Sequence, residues 1–509
     1  TFKKFKILMV LYGLWITASG LCALQTANAM TLEEALVLSY QNNPTLLAQR
    51  ALVRATDEQV SQALSGWRPE IEGSVRSNTF WNRRNNDNNE INRRSGYQAQ
   101  VTVTQNIFQG GQTLSATEEA ENKVRAERAR LVSTEQSVLL NAVTAYMDVF
   151  RDGAVLKLTI NNEKVLARQL EATQDRFNVG EVTRTDVAQA EARLSGAQAD
   201  RIQAEGNLKT SRGVFEKIVG VKATDLNKPD PALELPSDGK DAIRLAMENS
   251  PIVLAAKFEE SAARHNTSEI TGELLPSLDL IGQATKGRNQ SVLNRENTDY
   301  ELRAQLTVPI YQQGAVFSRV REAKQLHAQS RMQIEEARRQ AVEEATSGWE
   351  ALSTARARID SLKSEVRAAQ IALEGVQQEA LVGSRTVLNV LDAEQELLDA
   401  KVDLVRAERD EVVARFDVMS ATGRLTGPAL KLPSGYYDTN VHNKAVQWKI
   451  FGLGDDIGSS NLSYFLMSER ASFPSIFPVF SNSSHADPAI CPLIMASIGR
   501  TLVFSTIID

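Results

Sequence analysis

The chain has 509 residues, of which 6% are aromatic and 24% charged, with a formal net charge of −6 and an isoelectric point near 5.6. Its length would allow several ordinary domains, but its composition suits long Ala-, Glu-, Gln- and Arg-rich helices better than compact layers. Charges of both signs are interspersed and no basic face stands out, which argues against a nucleic-acid partner.

Residues 1–29 read as a secretory signal peptide. Lys3, Lys4 and Lys6 precede the apolar run Ile7 to Leu24, and Ala27-Asn28-Ala29 supplies the small-x-small site after which cleavage is expected. Removing three Lys and no acid takes the net charge from −6 to −9. Leu21 is too bulky to precede a lipidated Cys22, and the mature chain keeps only Cys491, so packing rather than an internal disulfide must stabilise it. After residue 30 no apolar run reaches the roughly 18–20 residues a spanning helix needs. Any entry into a membrane therefore falls to strands.

The mature chain repeats itself. A first half, residues 30–240, and a second, residues 241–432, each open on a short helix, Leu32 to Asn42 or Asp241 to Glu248. A longer amphipathic helix follows from Pro44 or Pro251 and stops at Trp67-Arg68-Pro69 or Leu274-Leu275-Pro276. Strand-like segments come next. Glu70 to Arg76 and Tyr97 to Thr104 alternate apolar and polar residues, as does Tyr300 to Val308, with Ser277 to Ala284 less regular; Asn78 to Gly96 and Thr285 to Asp299 read as polar loops.

Gln112 to Phe177 and Ala315 to about Ala380 then hold no Pro, and a helix of that length spans on the order of 100 Å. Each ends at a Gly turn, Gly180 or Gly383, and a return helix starts, about Thr185 to Val219 or Thr386 to Thr422. Val179 to Leu194 aligns without a gap on Val382 to Leu397. In the return helices Val187, Ala190, Leu194, Ala197 and their successors to Phe215 step by threes and fours, as do Val390 to Val418, giving a 3.5-residue seam for coiled-coil pairing. After Leu432 the extension 433–509 begins; Tyr436-Tyr437-Asp438 and Trp448 to Gly452 read as an ordered strap, and Ser459 to Asp509 shows no period.

A half-buried soluble sheet alternates as these strands do, and so does a membrane barrel with its apolar side to lipid and polar side to a lumen. The leader, and the lack of any other apolar element, point to the barrel. Four strands cannot close one, since about eight are needed, and unpaired backbone in lipid costs several kcal/mol per group. Two chains would give a filled barrel of eight strands; three would give twelve and a lumen, which the polar inner face favours. The fold expected is therefore mainly α with a membrane β-barrel, four strands per protomer, two tandem repeats and a trimer.

Catalytic chemistry is not in view. His265, His327, His442 and His485 are scattered, no thiol cluster exists, and Gly110-Gly111 has no nucleotide-binding context, so neither a metal, a cofactor nor an enzyme is expected. The duplicated half, Ile107-Phe108-Gln109-Gly110-Gly111, Val308-Pro309-Ile310-Tyr311, and Val382-Gly383-Ser384-Arg385-Thr386 with Val390-Leu391-Asp392-Ala393 resemble the TolC family of outer-membrane efflux and secretion channels over about residues 31–432.

The resemblance implies a twelve-stranded barrel in the outer membrane of a Gram-negative bacterium, continuous with a helical tunnel through the periplasm. It also implies a periplasmic adaptor and an inner-membrane ABC or RND transporter as partners. Two acidic rings that narrow such tunnels fall at Asn389 and Asp392, and a closing latch falls on Arg385 bonded to Asp186, with Ala380 where that latch has an aromatic. The competing reading makes Asp186, Asn389 and Asp392 plain helix caps and dipole partners, each worth about 1 kcal/mol. A soluble periplasmic coiled-coil adaptor is the alternative function, against which stand two hairpins instead of one and too few strands for compact β domains.

Overall fold

The computed structural model describes residues 30–83, 91–229, 233–289 and 295–452; the expected signal peptide, and residues 453–509 of the extension, lie outside them. The first repeat runs α1 (Leu32–Asn42), α2 (Pro44–Leu64), β1 (Glu70–Arg83), β2 (Ile91–Gln109), α3 (Gln112–Asn178) and α4 (Arg184–Val219). The second repeats the order as α5 (Gly239–Asn249), α6 (Pro251–Gly272), β3 (Ser277–Arg288), β4 (Glu296–Thr307), α7 (Ala315–Leu381) and α8 (Val387–Ala421), and a short α9 (Asn440–Val446) follows in the strap.

Local chemistry sets these boundaries. Thr31 and Glu34 form a reciprocal capping box at the start of α1. Asn43 ends α1 and caps α2, its side-chain Oδ1 accepting from the Thr45 N–H at 2.9 Å, with Pro44 at the first helical position. The same Asn43 side chain donates to the Ile218 carbonyl in the last turn of α4, at 3.0 Å. Helix α2 is thereby seated end to end on α4. In the second repeat α8 ends where α6 begins: Gly423, in the left-handed conformation, lies so close to the Asn249 carbonyl that an added β-carbon would stand 2.4 Å from it.

The two 67-residue helices α3 and α7 are continuous. At about 1.5 Å per residue each is roughly 100 Å long. Near the sheet they are flanked by α2 and α6, and further away by α4 and α8. The main core lies where the two sets meet, around Tyr146, Phe215, Phe416, Leu139, Leu46 and Val53, all buried. The Tyr146 hydroxyl lies 2.8 Å from the Met30 carbonyl and 2.7 Å from that of Asn227, and burial pushes its pKa up to about 12. The return-helix seam is buried at Val187, Ala190, Ala197, Ala204, Leu208, Ser211 and Phe215, and in α8 at Val390, Leu397, Ala400, Ala407, Glu411, Ala414 and Val418. Small residues at alternate seam positions let the backbones approach.

The four strands form one antiparallel sheet in the order β1-β2-β3-β4. They are longer than the sequence reading had them. The segments read as loops, Asn78 to Gly96 and Thr285 to Asp299, are largely strand: Asn78 pairs with Gly96, pairing continues to Arg83 and Ile91, and β3 pairs with β4 out to Arg288 and Glu296. Polar residues misled there because neither face needs to be apolar once a strand leaves the hydrocarbon region.

The register puts Ile71, Val103, Gly282 and Leu302 in one row, and Gly73, Val101, Ala284 and Tyr300 in the next. The opposite face carries Glu72, Thr102, Gln283 and Glu301, then Ser74, Gln100, Thr285 and Asp299. One face is thus apolar and the other polar across all four strands. Among the described residues, neither β1 nor β4 has an outer partner.

Below the sheet, Glu269 on α6 faces Glu119 on α3, which is also held by Lys123 at 2.6 Å and Asn266 at 3.0 Å; Glu118 meets His265 alongside at 2.7 Å. Burial, then a hydrogen bond to Glu119 and its charge, push the Glu269 pKa from 4.5 up to about 7. The folded chain therefore holds an extra proton between about pH 4.5 and 7, and its stability falls as pH rises through that window. Glu269→Gln, which keeps a donor toward Glu119, is expected to raise the melting temperature at pH 8 by an amount worth about 1 kcal/mol after solvent screening. It should also flatten the decline between pH 5 and 7; an unchanged pH profile would exclude this proton.

Candidate functional site

The turn at the far end of each long helix has the same construction. At the first, Gly180 takes φ +82° and the Glu181 N–H bonds back to the Arg176 carbonyl at 2.9 Å; at the second, Gly383 takes φ +80° and the Ser384 N–H bonds to the Glu379 carbonyl at 3.0 Å. A β-carbon opposes this left-handed conformation, which is why Gly stands at both turns. Thr183 and Thr386 then cap the return helices.

Asp186 and Asn389 occupy matching places in these caps. The Asp186 Oδ2 accepts from the Thr183 N–H and hydroxyl, both at 2.8 Å, and the Asn389 Oδ1 accepts from the Thr386 N–H at 3.1 Å and hydroxyl at 2.8 Å. Those hydrogen bonds, with Arg176 adding its charge, hold the Asp186 carboxyl below the usual carboxylate range. An amide oxygen serves the cap as well as a carboxylate does, so an Asn in the second repeat preserves the turn while removing its charge.

Arg385 and Asp186, expected from the resemblance to bond, are engaged elsewhere within the chain. The Arg385 Nε donates to Glu379 Oε2 at 2.8 Å, stapling its own turn, as Arg176 and Glu181 staple the other at 3.1 Å. A six-residue reach across one turn is met inside the hairpin, and Asp186 uses its Oδ2 for Thr183. Near the tips an ion pair of Arg193 on α4 with Asp392 on α8, at 2.5 Å, joins the two hairpins. It lies over an apolar cluster of Leu166, Ala197, Val387 and Leu391, flanked by Val182 and Leu194.

Two turns from the tip, Glu394 is buried among α7 and α8, where desolvation raises its pKa against a hydrogen bond with Gln377. Its counterpart Glu191 is exposed. Arg193, Glu379 and Glu394 were not singled out from the sequence. Residues 199 positions apart share no periodicity, and the only available signal was the basic residue in α4 at a height comparable to Asp392.

Long paired helices, an open four-stranded sheet with one apolar face, and polar turns at the distal tips are the fold of outer-membrane channels. Solved channels share this fold. The Campylobacter jejuni CmeC outer membrane channel superimposes with a TM-score of 0.71 at 16% identity, over 82% of this chain and 89% of that one, and CusC with 0.70 at 15%, over 77% and 92%.

The chain belongs to the outer membrane efflux protein family, whose model matches residues 35–221 and again 242–424. It is 34% identical over 430 residues to the outer membrane efflux protein BepC of Brucella suis, covering 84% of this chain and 93% of that protein. It is 28% identical over 396 residues to TolC of Vibrio cholerae, covering 76% and 89%. It is an exit duct of the efflux and type I secretion class, a transport protein and not an enzyme. Family members work with an adaptor and an inner-membrane transporter, and their place is the outer membrane.

Proposed function

We propose that three copies of this chain close a twelve-stranded barrel in outer-membrane lipid, that the helices below it form a tunnel through the periplasm, and that the distal turns are its gate. A periplasmic adaptor and an ABC or RND transporter open the duct and supply the energy for secreted proteins or small toxic molecules to pass. The open sheet carries this reading: two unpaired edges, an apolar row on one face and a polar row on the other leave lipid outside, water inside and neighbouring copies at the edges. The mature protein extracted in detergent should have three times the protomer mass. A chain that stays monomeric and soluble without detergent would instead fit the soluble adaptor.

Asp392 and Asn389 line the narrowest level in this proposal, with Arg385 and Asp186 beside them as its latch, each also stabilising its own turn. Of the two lining residues only Asp392 is acidic, and Arg193 neutralises it, so the closed mouth has little cation preference. An exposed pair of this kind is worth about 0–1 kcal/mol, which adaptor binding can exceed. Arg193→Ser is expected to raise single-channel conductance in planar bilayers and to shift the reversal potential toward cation preference by freeing Asp392. If neither changes, the pair does not gate the duct.

A further inference from the structure

The strap ends in a segment that changes character abruptly. His442 and Val446 of α9 are buried, whereas Trp448, Ile450 and Phe451 are 70%, 67% and 89% exposed. Their height is fixed. The Arg68 guanidinium donates to the Gln447 carbonyl at 3.2 Å and the Lys449 carbonyl at 3.3 Å, and Arg68 stands two residues before β1. Around the same level the foot of the sheet shows exposed Trp67, Phe108, Leu275, Ile310 and Tyr311. The exposed strap residues thus stand level with these apolar side chains at the helical end of the sheet.

From this we infer that Trp448, Ile450 and Phe451 form a membrane anchor seated in the phospholipid of the periplasmic leaflet at the foot of the barrel. The inference rests on the membrane-spanning reading of the sheet. Tryptophan at the boundary between lipid and water keeps its ring in the apolar layer and its N–H near the headgroups. The Arg68 guanidinium places positive charge at the same level, suited to lipid phosphate. Burying these side chains in lipid removes apolar surface from water beside a face already lipid-covered, with no new protein partner required.

The test uses the full mature trimer in vesicles of phosphatidylethanolamine and phosphatidylglycerol, with or without brominated acyl chains. The Trp448 emission is taken as the difference between the unaltered protein and Trp448→Phe. Brominated lipid is expected to cause about a two-fold loss of that emission, and aqueous iodide little. Quenching by iodide but not by bromine places the ring in water, and quenching by neither places it under protein, a neighbouring copy or residues beyond 452; either result overturns the anchor. Val75→Trp in the Trp448→Phe background reports on the sheet itself. If its ring is quenched by bromine while Trp448 is not, the anchor alone fails, and if neither is quenched the membrane reading of the sheet fails with it.

Discussion

Asp57→Ala is expected to release the strap from the helices. The Asp57 carboxylate is fully buried on α2 and faces His442 Nδ1 at 3.2 Å, the Asn443 amide at 3.1 Å and the Arg128 guanidinium at 3.4 Å. Arg128 also donates to the Thr439 carbonyl at 3.1 Å and Asn440 Oδ1 at 2.8 Å, so one carboxylate organises the cation and the first turn of α9 together. Removing it leaves a guanidinium in a confined site without its counterion, a loss of about 3–5 kcal/mol. Proteolysis should then cut between residues 433 and 452 many-fold faster than in the unaltered protein, with a lower melting temperature. Asp57→Asn, which keeps one acceptor and the volume, should fall between the two. Identical digestion patterns for Asp57→Ala and the parent protein would show that other contacts hold the strap, among them the Tyr437 N–H on the Tyr40 hydroxyl at 3.1 Å and Arg50 over both rings.

Val75→Arg should nearly abolish assembly of the proposed membrane-inserted trimer, whereas Ser74→Arg, one residue earlier, should be tolerated. Val75 is 82% exposed on the apolar face, paired with Ala99, near the middle of β1. An arginine at the bilayer midplane of a barrel costs about 2–4 kcal/mol, and symmetry would impose that cost in every copy. Ser74 lies in the polar row with Gln100 and Thr285, where a guanidinium meets water. The yield of trimer surviving mild detergent electrophoresis gives the comparison. Equal tolerance of both substitutions would mean that the apolar face does not meet lipid.

Periodicity carried most of the fold. The bounds of α3 and α7 and the buried seam from Val187 to Phe215 were legible because burying a narrow stripe along a long helix forces threes and fours into the sequence. The turns were legible because Gly180 and Gly383 are the residues that a left-handed cap admits. Strand ends were less so: beyond Asn78 and Thr285 the pairing persists through backbone hydrogen bonds that leave no side-chain signature. Partnerships across the fold were hidden altogether. Asp392 was picked out, but its counterion Arg193 was not, and His442, one of the four scattered histidines, is buried against Asp57, 385 positions away. Such pairs are set by how helices stack in space, and neither composition nor spacing encodes them.

The break between α2 and α4, bridged by Asn43 and the Ile218 carbonyl, alters how force travels through the molecule. Two rods butted end to end carry compression but almost no bending moment, while the unbroken α3 and α7 carry both. A sideways push on the far half of α4 is therefore absorbed at the joint, and the lever that reaches the sheet is the pair of uncut helices alone.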